Sequence, residues 1–273
     1  MYRFLLRPAW IVSHVLVLAL IVAMIGLSLW QFDRLDQKNA ENALIEANAS
    51  LPPIPLDEAI ALVDAEGAES VQFRQVAAVG RYDADVEVAV RNRSLDGAPG
   101  RWIATPLEDR DGTTVLVVRG WAPLVIDDVE PPIDTLEPPD APVALVGYLQ
   151  PTQERGSIGP TDPADGTLTE IARVDVDRVA QQVGDLAPFW LQLNRQEPAT
   201  DGASLTPVPL PELDDGPHLG YAIQWLIFTI IAVVGYPLIL RKVARQKAAE
   251  RQGSGSPPDG AEPDASFEDL PVG

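Results

Sequence analysis

The sequence predicts an α+β protein in which two transmembrane helices flank a mostly antiparallel-β extracytoplasmic domain with one or two short helices. Three observations predict it. Two long uncharged apolar runs stand near the two ends of the 273 residues. Between them lie short runs rich in Val and aromatics, punctuated by turn residues. Basic residues flank the apolar runs on their outer sides, whereas the middle of the chain is strongly acidic.

Neither Pro8 to Phe32 nor Pro217 to Leu240 carries a charge, and at about 1.5 Å per helical residue each crosses a hydrocarbon core of about 30 Å. The spans are set at residues 11–32 and 218–240. Arg3 and Arg7 precede the first, and Arg241, Lys242, Arg245, Lys247 and Arg251 follow the second. Basic residues beside span ends stay on the cytoplasmic side. Residues 1–10 and 241–273 are therefore expected in the cytoplasm and residues 33–217 outside. A cleavable signal peptide is the rival for the first span. Against it, Trp30, Gln31, Phe32 and Asp33 stand where small residues are needed, and the nearest Ala-x-Ala, Ala47 to Ala49, is far downstream. Arg outnumbers Lys heavily, and Ala, Asp and Pro abound, as in bacteria with GC-rich genomes; the expected location is a bacterial cell membrane.

Past the membrane, the first helix is expected to continue to Ala49, because the stretch is rich in helix formers and lacks Gly and Pro; Pro52, Pro53 and Pro55 stop it. Asp57 to Val63 is a short helix with Glu58 in its first turn. Strands follow at Val71 to Val79, Val86 to Asn92, Arg101 to Leu107, Thr114 to Trp121 and Val143 to Leu149. Asp111-Gly112 marks a hairpin between the third and fourth, since a tight turn needs the positive φ that Gly adopts cheaply. The proline-laden stretches Pro123 to Pro142 and Pro151 to Gly166 are loops. Val176, Val179, Ala180 and Val183 fall at i, i+3, i+4 and i+7, with Asp175 as cap and Gly184 as stop, giving one amphipathic helix. Phe189 to Leu193 is a last strand. The polar, Pro- and Gly-rich tail after Arg251 is expected to be disordered.

Charge and composition exclude several functions. Residues 33–217 hold 34 acidic and 13 basic side chains, which argues against a nucleic-acid partner. Acidic runs such as Asp127, Asp128 and Glu130 lack EF-hand spacing and keep a surface solvated. The absence of cysteine excludes disulfides and thiolate redox or metal chemistry. There is no P-loop, dinucleotide fingerprint, nucleophile elbow or His-Glu-x-x-His motif, and the chain is not expected to be an enzyme.

The stretch HLGYAIQW opens the second span. Its His218, Tyr221 and Trp225 form one stripe down the first two helical turns. Two readings stand: an interfacial aromatic belt, or a histidine ligand, with aromatic faces beside it, for a flat apolar cofactor such as haem. His218 is the one candidate metal ligand in this stripe. In the first span Gly26, Trp30, Arg34 and Lys38 recur every fourth residue near the same surface. Trp30 and Arg34 serve either as anchor and snorkelling cation or as aromatic and carboxylate-binding partners of that cofactor; Gly26 would let another helix come close. His14 lies about 24 Å below Trp30 along the helix, so His14 and His218 are expected at opposite membrane faces, unable to share a metal.

Four stretches resemble the surfeit-locus-one family, the extracytoplasmic assembly factors of haem-copper cytochrome c oxidase. GLSLWQFDRLDQK (Gly26 to Lys38) is similar to a Gly-x-Trp-Gln-x-x-Arg motif, with Gly26 displaced to four residues before Trp30. VGRYDADVEVAVRNRSLDGAPGRWIATPL (Val79 to Leu107) carries Gly-x-Tyr, Asn-Arg, Pro-Gly and Thr-Pro-Leu elements in order. VLVVRGWAP (Val115 to Pro123) resembles a strand ending in Arg-Gly-Trp-x-Pro, and HLGYAIQW matches His-x-x-Tyr-Ala-x-x-Trp. The resemblance covers roughly Leu5 to Arg241. It implies delivery or stabilisation of haem a while the oxidase core subunit matures, with that subunit and haem a synthase as partners beside membrane lipid. It implies cofactor contacts at His218, Tyr221, Trp30, Arg34 and Trp225, and a domain-shaping role for Arg119, Gly120 and Trp121, Gly120 permitting a turn at the strand end. The alternative is a membrane-tethered module that contacts oxidase subunits without binding haem. Because the chain has no cysteine, single cysteines report topology: in intact cells a membrane-impermeant maleimide should label Ser94→Cys and spare Ser254→Cys, and labelling of the latter would contradict the topology.

Overall fold

The computed structural model describes residues 6–124, 136–157, 159–199 and 205–253. The acidic run at Asp127, Asp128 and Glu130 and the tail after Gly253 lie outside these residues. The chain forms two units, Met1–Gln37 with Asp215–Gly273, and Lys38–Asp214.

The first unit is a pair of helices, α1 (Pro8–Ala49, whose residues up to Gln37 belong here) and α4 (His218–Gly253). Both are long and apolar enough to cross a membrane. Their large apolar side chains stand mostly uncovered, Leu16, Val22 and Ile231 at 60% exposure or more, an arrangement that suits hydrocarbon and not water. Less exposed residues recur along α1 at Val17, Ile21, Met24, Ser28, Gln31 and Leu35, and along α4 at His218, Ala222, Trp225, Thr229, Ala232 and Tyr236. Steps of three and four residues keep one seam facing its partner. The helices are antiparallel: Gln31 meets His218, Ser28 meets Ala222, and Ser13 and His14 meet Tyr236. The Gly26 face lies off this seam, with open space around it. No helix of this chain packs on Gly26 among the described residues; a step of four drifts around the helix and leaves the seam.

The second unit is built on β1 (Ile54–Pro55), β2 (Gln75–Tyr82), β3 (Val88–Leu95), β4 (Ala98–Asp109), β5 (Thr114–Pro123), β6 (Val143–Pro151), β7 (Glu170–Ile171) and β8 (Phe189–Glu197), with α2 (Leu56–Glu66) and α3 (Val176–Val183). The sheet runs β1-β2-β6-β8-β5-β4-β3-β7, and β4 pairs back onto β2, so five strands, β2-β6-β8-β5-β4, close into a ring. All neighbours in the ring are antiparallel except β5 and β8. The closure needs Gly80, because a Cβ there would stand 2.1 Å from the Glu108 carbonyl oxygen. It is fastened by the Asp109 carboxylate, which accepts the Val79 N–H at 2.9 Å.

Alternation then sorts the side chains. Val76, Leu107, Val115, Val117, Leu149, Phe189 and Leu191 fill the ring, and α2 closes it with Leu56, Ala59 and Val63. The intervening residues Leu116, Val118 and Trp190 face outward, beneath β3 and α3 with its Val176 and Val179. Strand β5 is thus covered on both faces, which explains its unbroken apolar run. The Asp175 cap and Gly184 stop of α3 stand as expected.

Several boundaries differ from expectation. Residues 71–73 form turns, and β2 starts at Gln75 because Phe73 adopts φ +66°. A 3-10 turn at Ala84–Val86, capped by the Asp83 side chain, delays the next strand to Val88. Besides the Gly112 hairpin, Asp96-Gly97, with φ of 51° and 79°, joins β3 and β4 through a two-residue turn, the twist-compatible geometry for such loops. Gly120 makes no turn, since β5 continues to Pro123. Gly80→Ala should destabilise the second unit by about 1–3 kcal/mol through overpacking, read as a lower unfolding midpoint of the purified protein; an unchanged midpoint would contradict the closure described.

Candidate functional site

The functional residues predicted from sequence occupy the first unit, at the end of the seam where α4 begins. His218 opens α4 after Gly216, which adopts φ +61°. Its Nδ1 lies 2.9 Å from Gln31 Oε1. An amide oxygen only accepts, so the imidazole donates from Nδ1 and its Nε2 carries the lone pair, the state a metal or a proton donor requires. Metal-ligating histidines are commonly held this way, by an acceptor on the other ring nitrogen. At Gly216 a Cβ would stand 3.2 Å from His218 Cδ2 and 3.4 Å from Nε2, so residue 216 lies beside that edge of the ring and a side chain there would crowd it.

The remaining predicted residues, Tyr221 and Trp225 on α4 and Trp30 and Arg34 on α1, make other contacts. Tyr221 is exposed one turn along α4, and Trp225 is half-buried in the seam with its ring 6.0 Å from that of Phe228. Trp30 precedes Gln31 and is exposed; the Arg34 guanidinium sits 5.8 Å from its ring centroid and donates to Gln37 Oε1 at 2.8 Å. The structure thus brings His218 to Gln31, and Trp30 to Arg34, as two separate contacts. Gln31 was quoted in the Trp-Gln motif without being given a role. The signal that finds it is the three-and-four spacing of the seam, on which Gln31 falls and Trp30 does not. His14 lies at the other end of the pair, its Nδ1 2.6 Å from the Tyr236 hydroxyl, which Ser13 also reaches.

A second cluster of motif residues lies inside the β domain. Arg119 and Glu87 form an ion pair at 2.9 Å with both side chains 1% exposed. The Thr105 hydroxyl donates to the same Glu87 oxygen at 3.1 Å, Arg119 Nη2 donates to the Leu136 carbonyl at 2.6 Å, and the guanidinium faces the Tyr82 ring at 5.5 Å. Burial pushes Arg119 below its usual value, while Glu87 and Tyr82 pull it back up; burial pushes the Tyr82 hydroxyl up, against the Arg119 charge, and it donates to Gln196 Oε1 at 3.0 Å. Gly-x-Tyr, Thr-Pro-Leu and Arg-Gly-Trp thereby meet at one charge pair on β2, β4 and β5. Their neighbours are equally architectural. Gly120 lets Leu205 and Thr206 lie against β5, where a Cβ would meet Leu205 Cβ at 2.6 Å. Gly100 seats the Trp121 ring, where a Cβ would come within 2.3 Å, and Trp121 Nε1 donates to the Arg93 carbonyl at 3.0 Å. No sequence signal marked Glu87 as the partner of Arg119, among 34 acids in the stretch.

Two apolar helices near the chain ends, long enough to cross a membrane, with a closed β domain between them in sequence, are consistent with a membrane-anchored protein. The SURF1 family model matches residues 18–230, and the chain belongs to that family, generally known as cytochrome c oxidase assembly factors. It is similar to an uncharacterized SURF1-like protein of Mycobacterium tuberculosis, 32% identical over 259 residues that cover 93% of this chain and 91% of that one. A SURF1-like protein of Rickettsia felis is 23% identical over 236 residues, 85% of this chain and 98% of the other.

Removing one partner of a buried ion pair leaves an uncompensated charge. Arg119→Met should therefore cost about 3–5 kcal/mol in unfolding followed by tryptophan fluorescence, and adding Glu87→Leu should restore most of it. Equal stability of the single variant and the unmodified protein would contradict the pairing.

Proposed function

We propose that this protein is a membrane-anchored assembly factor for a haem-copper cytochrome c oxidase, and that it holds haem a transiently while the core subunit matures. The observation that carries the reading is the hydrogen bond from His218 to Gln31. It orients the ring and, in the neutral imidazole, supports Nε2 as the atom with a lone pair to offer a metal. Haem, when bound, would supply a redox-active iron already held by its macrocycle, and His218 could serve as the protein's ligand to it.

The other residues take supporting roles. Tyr221 and Trp225 offer flat apolar faces along the first turns of α4. Arg34, close to Trp30, is the cation for a propionate carboxylate. Membership of an assembly-factor family supports a partner in the oxidase core subunit, with haem a synthase as donor. The basic residues flanking both spans support cytoplasmic termini and an outer domain. The competing reading is a membrane-tethered interaction module that contacts oxidase subunits without haem.

The test is haem a uptake by the purified full-length protein, read from Soret absorbance. The unmodified protein should take up haem, His218→Ala should lose the axial-ligand signature, and Gln31→Leu should weaken binding about 10- to 100-fold, the usual cost of removing a second-shell partner. Equal uptake by the unmodified protein and His218→Ala removes His218 as ligand. No uptake by either, with continued co-purification of the oxidase, favours the interaction module.

A further inference from the structure

Helix α4 has a second face that its own chain leaves bare. Its seam residues step His218, Ala222, Trp225, Thr229, Ala232, Tyr236. Two positions on, about 200° around the helix, Gly220, Gln224, Ile227, Ile231, Val234 and Leu238 repeat the same four-three-four spacing, and all six are exposed. Five are apolar or glycine. The sixth, Gln224, carries a primary amide about 9 Å along the helix from His218, within the apolar run.

Several polar groups on the seam are paired within the chain. Ser28 donates to the Ala222 carbonyl, Gln31 accepts from His218, Thr229 donates to the Trp225 carbonyl, and His14 and Ser13 meet Tyr236. Among the described residues the Gln224 side chain makes no hydrogen bond. An amide turned to hydrocarbon is costly, and helices in membranes associate through such groups. One polar residue in an otherwise apolar heptad stripe also fixes register.

We propose that this stripe is the contact surface for a second copy of the chain, with Gln224 of each protomer bonded to Gln224 of the other. The amide both donates and accepts, so it is complementary to itself, as a two-fold contact requires. Two copies inserted in the same sense run their α4 helices in parallel and bring position 224 to position 224 at equal depth. Gly220, where a Cβ would meet nothing within the chain, has no packing duty in the protomer and lets the two backbones approach one turn above the amide. The inference rests on α4 crossing a membrane and is independent of haem binding.

The absence of cysteine allows a direct test on the full chain in native membranes by oxidative cross-linking of single cysteines. Ile227→Cys and Ile231→Cys should give a band of twice the protomer mass, and the lipid-facing control Leu226→Cys, about 120° around the helix from the stripe, should not. Adding Gln224→Leu to Ile227→Cys should lower the cross-linked fraction about threefold to twentyfold, as for loss of an interhelical hydrogen bond in a bilayer, whereas Gln224→Asn should retain it. Equal cross-linking at position 226, indifference to Gln224→Leu, or products only with a protein of different mass would overturn the proposal.

Discussion

The antiparallel seam of α1 and α4 is the constraint on which the candidate site depends. In hydrocarbon there is no hydrophobic gain from bringing two apolar helices together, so packing and interhelical hydrogen bonds decide which faces meet. Here they lie at both ends and between: His218 with Gln31, Ser28 with the Ala222 carbonyl, and His14 with Tyr236. The consistent pairing fixes register as well as face. One consequence is chemical, because the same contact that docks His218 also selects its tautomer.

The β domain uses charge differently. Burying Arg119 and Glu87 costs desolvation that a pair repays only when its remaining groups are also satisfied. Thr105 and the Leu136 carbonyl do most of that work, leaving Arg119 Nε without a partner among the described residues. The pair ties the start of β3 to β4, β5 and the return of the chain at Leu136. Family motifs here serve architecture: Gly80 closes the ring, Gly100 seats Trp121, and Gly120 accepts the segment at Thr206. A motif residue in this domain is therefore poor evidence of a ligand.

Much of this was legible in the chain. Composition and length located both long helices, the runs rich in Val and aromatics located the ring's five strands and β3, and Asp175 and Gly184 bounded α3 because capping is a local property. Other features needed the third dimension. Asp96-Gly97 was as clear a turn signal as Asp111-Gly112, yet it sat between runs whose ends were drawn too short. Among the site residues, the sequence nominated His218, Tyr221, Trp225, Trp30 and Arg34 by type and depth, but spacing by fours led to Trp30 when the seam runs through Gln31.

By itself the sequence determined what local rules encode: two membrane-length helices, the strand runs, the turns, the absence of thiol chemistry and the family's motifs. Only the tertiary structure decided which residues face each other, that Gln31 holds His218, that Glu87 holds Arg119, and that β4 returns to β2. The physical reason is that a helix or strand fixes its own periodicity from nearby residues, whereas the rotation and register of one element against another follow from contacts between residues far apart in the chain.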